Sequence, residues 1–335
     1  MTGQSIAITL ADLLAEDPEV RQPMMGSWLL ERSLNMVHAP AGLGKSMWCM
    51  ALAIALAGGG EFLRWKARKP RKVLYVDAEM DRGDIHQRAR ALLKASGMTQ
   101  EQKLKATDNI QIVSQQSLKE GSQLPDLSNE TEAATEVLTE LVRAQCSDFV
   151  ILDNLSTLAD IDDENSAGGF SFVHVIGRSL QREGAAVLFV HHDRKGMGGS
   201  ESFRGSSKLE APLDVRWGLR KPETSLQGAS LAFTLECHKC RPRRGEDVRS
   251  FTAGLIDDDD SSRWVTSDNP LPENLRVFLE VLRSGLHSSG GEIAAALDVS
   301  KGTVSKYKAK AIAGGWLTED EYRDCLALAA SQEDY

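Results

Sequence analysis

The stretch HAPAGLGKSM, His38–Met47, decides the fold class of this chain. It follows the β-rich run LNMVHA (34–39) and opens the apolar helical run SMWCMALAIALAGG (46–59). A strand, a glycine-rich turn ending in Gly-Lys-Ser and a helix together form an anion site, because backbone N–H groups and the helix N-terminus face a bound phosphate. The stretch therefore predicts a phosphate-binding loop, although Ala39 stands where the usual pattern begins with glycine. A methyl group is tolerated there as long as φ stays negative.

The same loop predicts how ATP and Mg²⁺ are bound. Lys45 is expected to reach the β- and γ-phosphates, and the Ser46 hydroxyl to hold Mg²⁺. Gly42 and Gly44 give the backbone the freedom to turn close to the phosphates. The predicted nucleotide-binding residues are Ala39, Pro40, Ala41, Gly42, Leu43, Gly44, Lys45, Ser46 and Met47. The alternative is a plain glycine turn between a strand and a helix.

Two later strands end in carboxylates of the kind that a nucleotide site needs. FVILDN (149–154) reaches Asp153, the expected position of the residue that orients Mg²⁺ through water. VLYVDAEM (73–80) ends in Asp77 and Glu79, and a carboxylate at that strand tip can polarise a water for in-line attack on the γ-phosphate. For Glu79 the alternative is an acid that is merely solvated at a strand end.

Two histidines, His191 and His192, end another apolar run, LFVHH (188–192). One of them is positioned to hydrogen-bond the γ-phosphate and to sense its loss. Two ordinary strand-end histidines are the alternative.

Apolar runs alternate with helical stretches along most of the chain. FVILD (149–153) and AVLFV (186–190) are apolar throughout, which is typical of strands buried on both faces. This alternation predicts an α/β fold with a mostly parallel sheet covered on both sides, and LAFTLECHK (231–239) and RSFTAGLID (249–257) extend one edge. The predicted organisation is a lead-in over 1–27, a core over 28–265, a linker over 266–274 and a winged helix-turn-helix domain over 275–335.

Composition and charge exclude several classes of protein. The chain has 335 residues and a net charge of −9, which argues against a protein that simply coats nucleic acid. No apolar run reaches the ~18 residues that a membrane span requires, and MTGQSIAITL (1–10) lacks the features of a secretion signal, so we expect a cytoplasmic protein without membrane contact. The five cysteines are scattered, and CHKC (237–240) is not followed by a second pair at zinc-ligand spacing.

Charge is unevenly distributed along the chain. IDDEN (161–165) and IDDDD (256–260) are acidic, whereas KCRPRRG (239–245) and KGTVSKYKAK (301–310) are basic. An acidic body of this kind can still bind a polyanion where its basic patches gather.

Several motifs in one order resemble the RecA-like ATPases of plasmids and phages, in particular the RepA-type hexameric replicative helicases. The resemblance covers roughly residues 24–262 and rests on APAGLGKS, YVDAEM, VILDN, FVHHDRKG, FRGSSKLEAPLDVRW and CHKCRPRRG. It implies the RecA-like core of the AAA-type ATPases of the RecA/DnaB-like class, and a ring, usually of six subunits. It also implies that ATP lies between neighbours and that single-stranded DNA passes through the ring.

The resemblance implies a role for each matching residue. Lys45 and Ser46 match the phosphate-loop positions, Glu79 the catalytic glutamate and Asp153 the aspartate of the Mg²⁺ site. His192 matches the γ-phosphate sensor better than His191 does.

The resemblance leaves two candidates for an arginine that reaches the neighbouring subunit's γ-phosphate. Lys239 and Arg241 look like the Lys-x-Arg pair of related ring helicases, whereas in the RepA-type branch the arginine corresponds to Arg216 of DVRW. Such a cation can stabilise the transition state by roughly 10³- to 10⁵-fold, so an isolated protomer is expected to be nearly inactive.

Two loops are expected to face the channel of the ring. The first, ADIDDENSAGGF (159–170), is acidic and is a poor contact for phosphate. The second, RKGMGGSESFRGSSK (194–208), is glycine-rich and carries cations suited to tracking a sugar-phosphate chain. The predicted DNA contacts in it are Lys195, Arg204 and Lys208. A surface loop with solvated charges is the alternative.

The tail over 290–320 predicts a DNA-binding helix-turn-helix. Ile293, Ala296 and Leu297 form an apolar face, Val299 and Val304 pack between the helices, and Ser300 is placed to cap the second helix. That helix is expected to display Lys301, Thr303, Ser305, Lys306, Tyr307 and Lys308 like a recognition helix, with DNA contacts from Lys301, Thr303, Lys306 and Lys308. GGWLTED (314–320) resembles the turn into a wing. A protein-docking or purely structural winged helix is the alternative.

Three functions compete on this sequence. The first is an ATP-driven ring helicase that translocates on single-stranded DNA in plasmid or phage replication, with a primase or initiator as a separate chain. The second is a DNA-binding RecA/RadA-like ATPase in recombination or regulation, without unwinding. The third, a small-molecule phosphotransferase, has no substrate lid and does not need a Lys-x-Arg pair. The helical tail favours the second function, and the loop over 194–208 and the arginine favour the first.

Overall fold

A computed structural model describes residues 7–17, 19–119, 122–160, 170–193, 210–222, 226, 228–242, 245–257, 262–268, 272–313 and 316–333. The helices are α1 (Leu10–Ala15), α2 (Lys45–Gly58), α3 (Arg82–Ala95), α4 (Gln100–Asn109), α5 (Thr131–Gln145), α6 (Leu155–Leu158), α7 (Ser171–Arg182), α8 (Glu273–Arg283), α9 (Gly290–Ala296), α10 (Lys301–Ala313) and α11 (Glu319–Glu333). The strands are β1 (Pro23–Met25), β2 (Leu29–Leu30), β3 (Leu34–Ala39), β4 (Glu61–Phe62), β5 (Trp65–Lys66), β6 (Val73–Asp77), β7 (Ile110–Ser114), β8 (Phe149–Asp153), β9 (Ala186–His192), β10 (Val215–Arg220), β11 (Ala229–Cys240), β12 (Phe251–Asp257) and β13 (Ser262–Asp268).

The central sheet runs in the order β13-β12-β11-β10-β3-β9-β8-β6-β7. The six strands from β10 to β7 pair in parallel, and β11, β12 and β13 extend the β10 edge antiparallel. The predicted α/β fold with a mostly parallel sheet is confirmed. No described helix is long and apolar enough to cross a membrane.

Helices cover both faces of the parallel part of the sheet. Side chains that alternate along each strand divide between two cores: Tyr75 packs into the core that includes α2, whereas Leu74 packs into the core that includes α5 and α7. Burial of an aliphatic or aromatic side chain stabilises a fold by about 1.5–3 kcal/mol relative to exposure. The sheet is therefore held by two apolar layers, and its polar residues gather where the strands end.

Four tryptophans fill the space between α2 and the antiparallel part of the sheet. Trp28, Trp48, Trp65 and Trp217 are all buried, and the rings of Trp28 and Trp217 meet edge to face with centroids 5.6 Å apart. The indole N–H groups of Trp28, Trp48 and Trp217 have no hydrogen-bond acceptor among the described residues. Edge-to-face packing lets an N–H group contact a neighbouring ring instead, a weaker but favourable contact.

The C-terminal helices have an apolar core of their own. Phe278 of α8, Ile293 of α9, Val304 of α10 and Leu317 are buried in it. Two helices, α9 and α10, lie where the helix-turn-helix is predicted, and Ser300 caps α10 by accepting a hydrogen bond from the Thr303 N–H (3.1 Å).

Three details of the predicted tail are wrong. The residues after GGWLT form α11 rather than a wing strand, since Tyr322, Cys325 and Leu326 recur at helical spacing and pack on the same core. Ala296 is exposed while Ala294 takes its place in the core. Tyr307, expected on the exposed face of α10, packs against the Phe278 ring with centroids 6.0 Å apart.

Several elements depart from the predicted boundaries. Strand β13 reaches Asp268, inside the stretch interpreted as a linker, because it pairs along the whole of β12. Strand β1 lies inside the predicted lead-in, where it pairs with β2. Helix α4 and strand β10 had no counterpart in the sequence interpretation.

Candidate nucleotide site

The loop between β3 and α2 has the backbone geometry of a phosphate cradle. Gly42 and Gly44 have φ values of 76° and 93°, which favour glycine. A Cβ atom on Gly44 would lie 2.8 Å from a methyl carbon of Leu231, so the close approach of β11 also requires glycine there. Gly44 is the N-cap residue that precedes α2, and the first N–H groups of that helix are available to an anion. Ala39 ends β3, so the missing glycine leaves the turn intact.

Lys45 is held inside the loop. Its Nζ atom donates to the carbonyl oxygens of Ala39 (2.9 Å) and Pro40 (3.0 Å) and lies 3.0 Å from Nδ1 of His192. Burial lowers the pKa of Lys45, and the carboxylates of Asp153 and Asp193 oppose that shift. An ammonium group already positioned by weak neutral acceptors can exchange them for phosphate oxygens without moving far.

Asp153 lies buried beside Ser46 and Tyr75. The Tyr75 hydroxyl donates to Oδ2 of Asp153 (2.6 Å), and the Ser46 hydroxyl hydrogen-bonds the same carboxyl group. Burial raises the pKa of Asp153 to about 6, and the two hydroxyl hydrogen bonds oppose that shift. Tyr75 was missed in the sequence, where its one signal is a hydroxyl group in an otherwise apolar strand.

This donor set fits Mg²⁺ in a nucleotide complex. Hydroxyl and carboxylate oxygens are the ligands that Mg²⁺ prefers, and the ion usually takes one or two protein groups together with substrate phosphates. The described residues contain no cluster of three or more His, Cys, Asp or Glu side chains placed for a metal ion. Ser46 and Asp153 would therefore hold Mg²⁺ only together with a bound triphosphate, and the ion would neutralise charge on its phosphates.

Asp77 shapes the turn that presents Glu79. Its Oδ1 atom accepts hydrogen bonds from the backbone N–H groups of Glu79 (3.0 Å) and Met80 (2.7 Å). Burial raises the pKa of Asp77, and these two N–H groups oppose the shift. Asp77 is thus a backbone support, and Glu79 is the carboxylate that reaches the site.

Glu79 is held by two side chains from neighbouring strands. Nδ2 of Asn154 donates to Oε1 of Glu79 (2.7 Å) and lies 2.9 Å from Nε2 of His192. Nε2 of His192 is itself 3.5 Å from Oε1 of Glu79. Asn154 is buried and also caps α6 through the Thr157 N–H (3.2 Å). Asn154 was not singled out in the sequence, although it directly follows Asp153 in the motif.

His192 connects the phosphate loop to Glu79. Burial lowers the pKa of His192, and the Lys45 ammonium lowers it further. Nδ1 of the ring faces the Lys45 ammonium, and Nε2 faces Asn154 and Glu79. The arrangement can therefore carry a change at the Lys45 ammonium to the carboxylate that would activate water.

His191 lies on the other side of the strand. Its ring packs edge to face against Phe170, and burial lowers its pKa to about 4. Of the two predicted sensor candidates, His192 is the one beside Lys45.

Arg216 is engaged within its own chain. Its Nη1 atom lies 3.2 Å from Nε2 of His38 and its Nη2 atom 3.4 Å from Glu210. Nδ1 of His38 contacts Asp193 (2.8 Å), and the Asp193 backbone N–H donates to the Ala39 carbonyl oxygen (2.9 Å). Only 12% of the Arg216 side chain is exposed, so it supports the strand ends beneath the phosphate loop.

Arg241 lies near the opposite end of the sheet from the phosphate loop, whereas Lys239 pairs with Arg216 at the level of Met36 in β3. Cys240, between them, pairs with Val215, and Val215 pairs with Asn35 near the start of β3. The phosphate loop leaves β3 at Ala39, four residues and about 13 Å further along the strand.

Both cations rest on backbone carbonyl oxygens of the segment before β10. Nζ of Lys239 donates to the Glu210 oxygen (2.5 Å) and Nη2 of Arg241 to the Ala211 oxygen (2.6 Å). The Arg241 side chain is 51% exposed, and its nearest carboxylate, Asp214, is 3.9 Å away.

The predicted DNA contacts have different outcomes. Lys195, Arg204 and Lys208 lie outside the described residues. Lys301 and Lys306 are exposed on α10, and the Thr303 hydroxyl lies 2.9 Å from that of Ser300. Lys308 instead pairs with Glu319 (2.8 Å) and lies 4.3 Å from the centre of the Tyr322 ring, so it serves the packing of α11.

Comparison with known proteins places the chain in a family. The family model described as "AAA domain" matches residues 4–198, more than half of the chain. Among solved structures, a KaiC-like protein from the hyperthermophilic archaeon Pyrococcus horikoshii OT3 superposes with a TM-score of 0.45 at 12% identity, over 71% of this chain and 91% of that one.

Proposed function

This chain belongs to the AAA domain family of P-loop ATPases, and from that premise we propose that it is a ring-forming translocase that hydrolyses ATP to move along single-stranded DNA, as a replicative helicase of a plasmid or phage does. The observation that carries the proposal is the separation of Arg241 from the phosphate loop of its own chain. A cation so placed would reach a γ-phosphate only at the site of a neighbouring subunit. A head-to-tail contact that repeats with a rotation that closes forms a ring, and the closed ring is the form that we propose.

The residues of one subunit would bind and prepare ATP. Lys45 binds the phosphates, and Ser46 and Asp153 hold Mg²⁺, which neutralises phosphate charge when it is bound. Glu79, held by Asn154 and His192, accepts the proton of the attacking water. His192 exchanges its Lys45 contact for the γ-phosphate and so registers whether that phosphate is present.

The neighbouring subunit would complete the site. Arg241 leaves the Ala211 carbonyl oxygen and stabilises charge that develops on the transferred phosphoryl group, with Lys239 beside it. A transition-state contact of this kind is worth roughly 10³- to 10⁵-fold in rate. Arg216, bound to His38 and Glu210, keeps its own strand in place. We therefore assign the trans-acting role to Arg241.

Hydrolysis and unwinding assays together test the proposal. ATP turnover is measured with and without single-stranded DNA, alongside unwinding of a forked duplex, and native mass spectrometry gives the number of subunits. We expect DNA-stimulated turnover, unwinding and a closed ring, with six subunits the favoured number. ATP turnover that is indifferent to DNA would contradict the proposal.

A second function is favoured by the C-terminal helices. Lys301 and Lys306 are exposed on the second helix of a helix-turn-helix, which suits duplex binding by a RecA/RadA-like ATPase in recombination or regulation. DNA-stimulated turnover without unwinding would support this function instead. A double Lys301→Ala, Lys306→Ala variant should then lose duplex affinity and reduce its salt dependence by about two phosphate contacts. A protein partner at these helices would leave both properties unchanged.

A further inference from the structure

Strand β11 contains a bulge that brings two cysteines onto one face of the sheet. Cys237 pairs with Trp217 and Cys240 with Val215, so two residues three apart on β11 lie opposite two residues that are two apart on β10. One residue of β11 is therefore extra, as in a β-bulge. Residues two apart on a strand share a face, and both cysteines pack on the core that contains Val215 and Trp217.

The two thiols are close enough to interact. The Cys237 thiol donates to the Lys239 carbonyl oxygen (3.3 Å), and Cys237 and Cys240 are both partly open to solvent. A spacing of two strand residues puts their Cα atoms about 6.6 Å apart. That is near the upper limit of the roughly 4.4–6.8 Å that disulfides span.

We propose that Cys237 and Cys240 are a modification site, at which a small-molecule disulfide such as oxidised glutathione converts the two thiols into a reversible intrachain disulfide. None of the five cysteines is in a disulfide, and Cys237 and Cys240 are the pair whose strand register places both thiols on one face of β11. A bond that must tighten a strand is strained, and strained disulfides are the readily reduced ones.

The exchange proceeds in two balanced steps. The thiolate of Cys240 attacks one sulfur of oxidised glutathione, which forms a mixed disulfide and releases one glutathione thiolate. The thiolate of Cys237 then attacks the Cys240 sulfur, which closes the ring and releases the second glutathione. Two electrons pass from the cysteine pair to one glutathione disulfide, and two protons leave the protein thiols.

The rate of closure is expected to depend on pH. Its hydrogen bond to Cys240 and its burial hold the pKa of Cys237 above its usual range. Since the thiolate is the attacking species, the second step is slow at neutral pH and accelerates as the pH rises.

The bond would act on the cations of the opposite face. Lys239 lies between the two cysteines and opposite Arg216, and Arg241 follows directly. Drawing Cys237 and Cys240 together changes the bulge and displaces the backbones of Lys239 and Arg241, so Arg241 would no longer start from the position that reaches the neighbouring site. This consequence rests on the proposed trans-acting role of Arg241, and it makes oxidation a means of stopping ATP cleavage without blocking ATP binding.

The test uses the full-length protein in glutathione buffers of graded redox potential, at pH 7 and at pH 8.5. After thiol blocking, trypsin cleaves at Lys239, so a Cys237–Cys240 disulfide keeps two peptides joined and is read directly by mass spectrometry. Cys146→Ser is the matched control, because Cys146 is an exposed cysteine outside the pair. Cys237→Ser and Cys240→Ser each remove the site.

We expect joined peptides in the wild type and in Cys146→Ser, formed faster at pH 8.5 and reversed by reductant. DNA-stimulated ATP turnover should fall at least ~10-fold on oxidation, since the arginine contact is worth more than that, and Cys237→Ser should not respond. Separate glutathione adducts on Cys240 with no joined peptides, at any buffer potential, would overturn the disulfide. Joined peptides with unchanged ATP turnover would overturn its control of the site.

Failure of the proposed function is distinguishable from both outcomes. Joined peptides are scored without ATP or DNA, so the disulfide stands or falls regardless of what the protein does. If a serine variant folds poorly, the wild type before and after reductant still compares one chain in two states.

Discussion

The two ends of the central sheet hold their charged side chains in different ways. At the carboxyl ends of β3, β6, β8 and β9, Lys45, His192, Asn154 and Glu79 contact one another in a continuous chain. Near the start of β10, Arg241 rests on a carbonyl oxygen and is half exposed. The contacts of the first set all lie within one polypeptide. In the second set, Arg241 lies away from the nucleotide site of its own chain. The difference fits the proposed function, in which ATP binding needs one copy and ATP cleavage needs two.

The contrast also separates the two arginines. Arg216 is 12% exposed and bound to His38, and Arg241 is 51% exposed with its nearest carboxylate 3.9 Å away. A buried cation with several partners is costly to move, because its charge would be left uncompensated during the change. An exposed cation on a neutral acceptor can move to a new partner at little cost in free energy.

Replacing Arg241 should have the largest effect. We expect Arg241→Ala to lower the turnover of the assembled enzyme by roughly 10³-fold or more while ATP affinity stays unchanged, because the lost contact exists only in the transition state. Steady-state turnover and equilibrium nucleotide binding measure the two quantities. Arg249→Ala is the matched control, with a side chain that is 46% exposed. Equal losses of turnover in the two variants would contradict the special role proposed for Arg241.

Loss of Asn154 should come next. Asn154→Ala frees Glu79 from its 2.7 Å hydrogen bond, and a misplaced catalytic group costs about 10²-fold, so kcat should fall that far with little change in KM. Asn154→Ser is the control for helix capping, since serine keeps the cap on α6 but cannot reach Glu79. If the serine variant recovered full turnover, Asn154 would be a cap and nothing more.

Removal of the Tyr75 hydroxyl should change the Mg²⁺ requirement. Tyr75→Phe leaves Asp153 with one hydroxyl donor fewer, which raises the pKa of Asp153 beyond its value of about 6. A carboxyl that is more often protonated binds Mg²⁺ less well, so the half-saturating Mg²⁺ concentration should rise about 10-fold, and more at pH 6.5 than at pH 8.

Two measurements check the Tyr75 prediction. ATP turnover and nucleotide binding are each titrated with Mg²⁺, and Tyr307→Phe in the C-terminal helices serves as the control. An unchanged Mg²⁺ requirement at both pH values would mean that the Tyr75 hydroxyl does not position Asp153.

The smallest effect concerns the stability of the sheet at the carboxyl ends of its strands. Burial lowers the pKa of His191 to about 4, below its ordinary 6.5, so the unfolded chain binds the proton more tightly. The stability from the neutral ring is fully present above pH 6.5 and is lost as the pH falls toward 4. Between pH 7 and pH 5 this group should cost on the order of 2 kcal/mol. Urea unfolding of the wild type and of His191→Gln at both pH values measures it, and an equal loss in the two proteins would exclude His191 as the cause.

The sequence was most informative where structure is local. The phosphate loop lies within ten residues, and its Gly-Lys-Ser ending, preceding strand and following helix are read together. The buried strands around Asp153 and His192 were predictable because both their faces are apolar.

Features that depend on pairing between distant segments were not predictable. Asn154 and Tyr75 act through neighbours 75 and 78 positions away, and nothing in their local sequence indicates those contacts. The register of β10 with β3 and β11, which separates Arg216 from Arg241, likewise exists only in the folded chain. The wing was mispredicted because a turn signal indicates where a helix ends but not which element the chain forms next.

Mixing two inactive variants tests the shared site most directly. A Lys45→Ala subunit retains Arg241 but cannot cleave ATP in its own nucleotide site. An Arg241→Ala subunit retains an intact nucleotide site but cannot supply Arg241 to its neighbour. Random assembly of equal amounts leaves about a quarter of the contacts, one half times one half, with an intact pocket facing an intact arginine. We expect ATP turnover to reappear on mixing, up to about that fraction of the wild-type rate. Turnover that stays at the level of the separate variants, in mixed rings demonstrated by native mass spectrometry, would contradict cleavage at a seam between two copies.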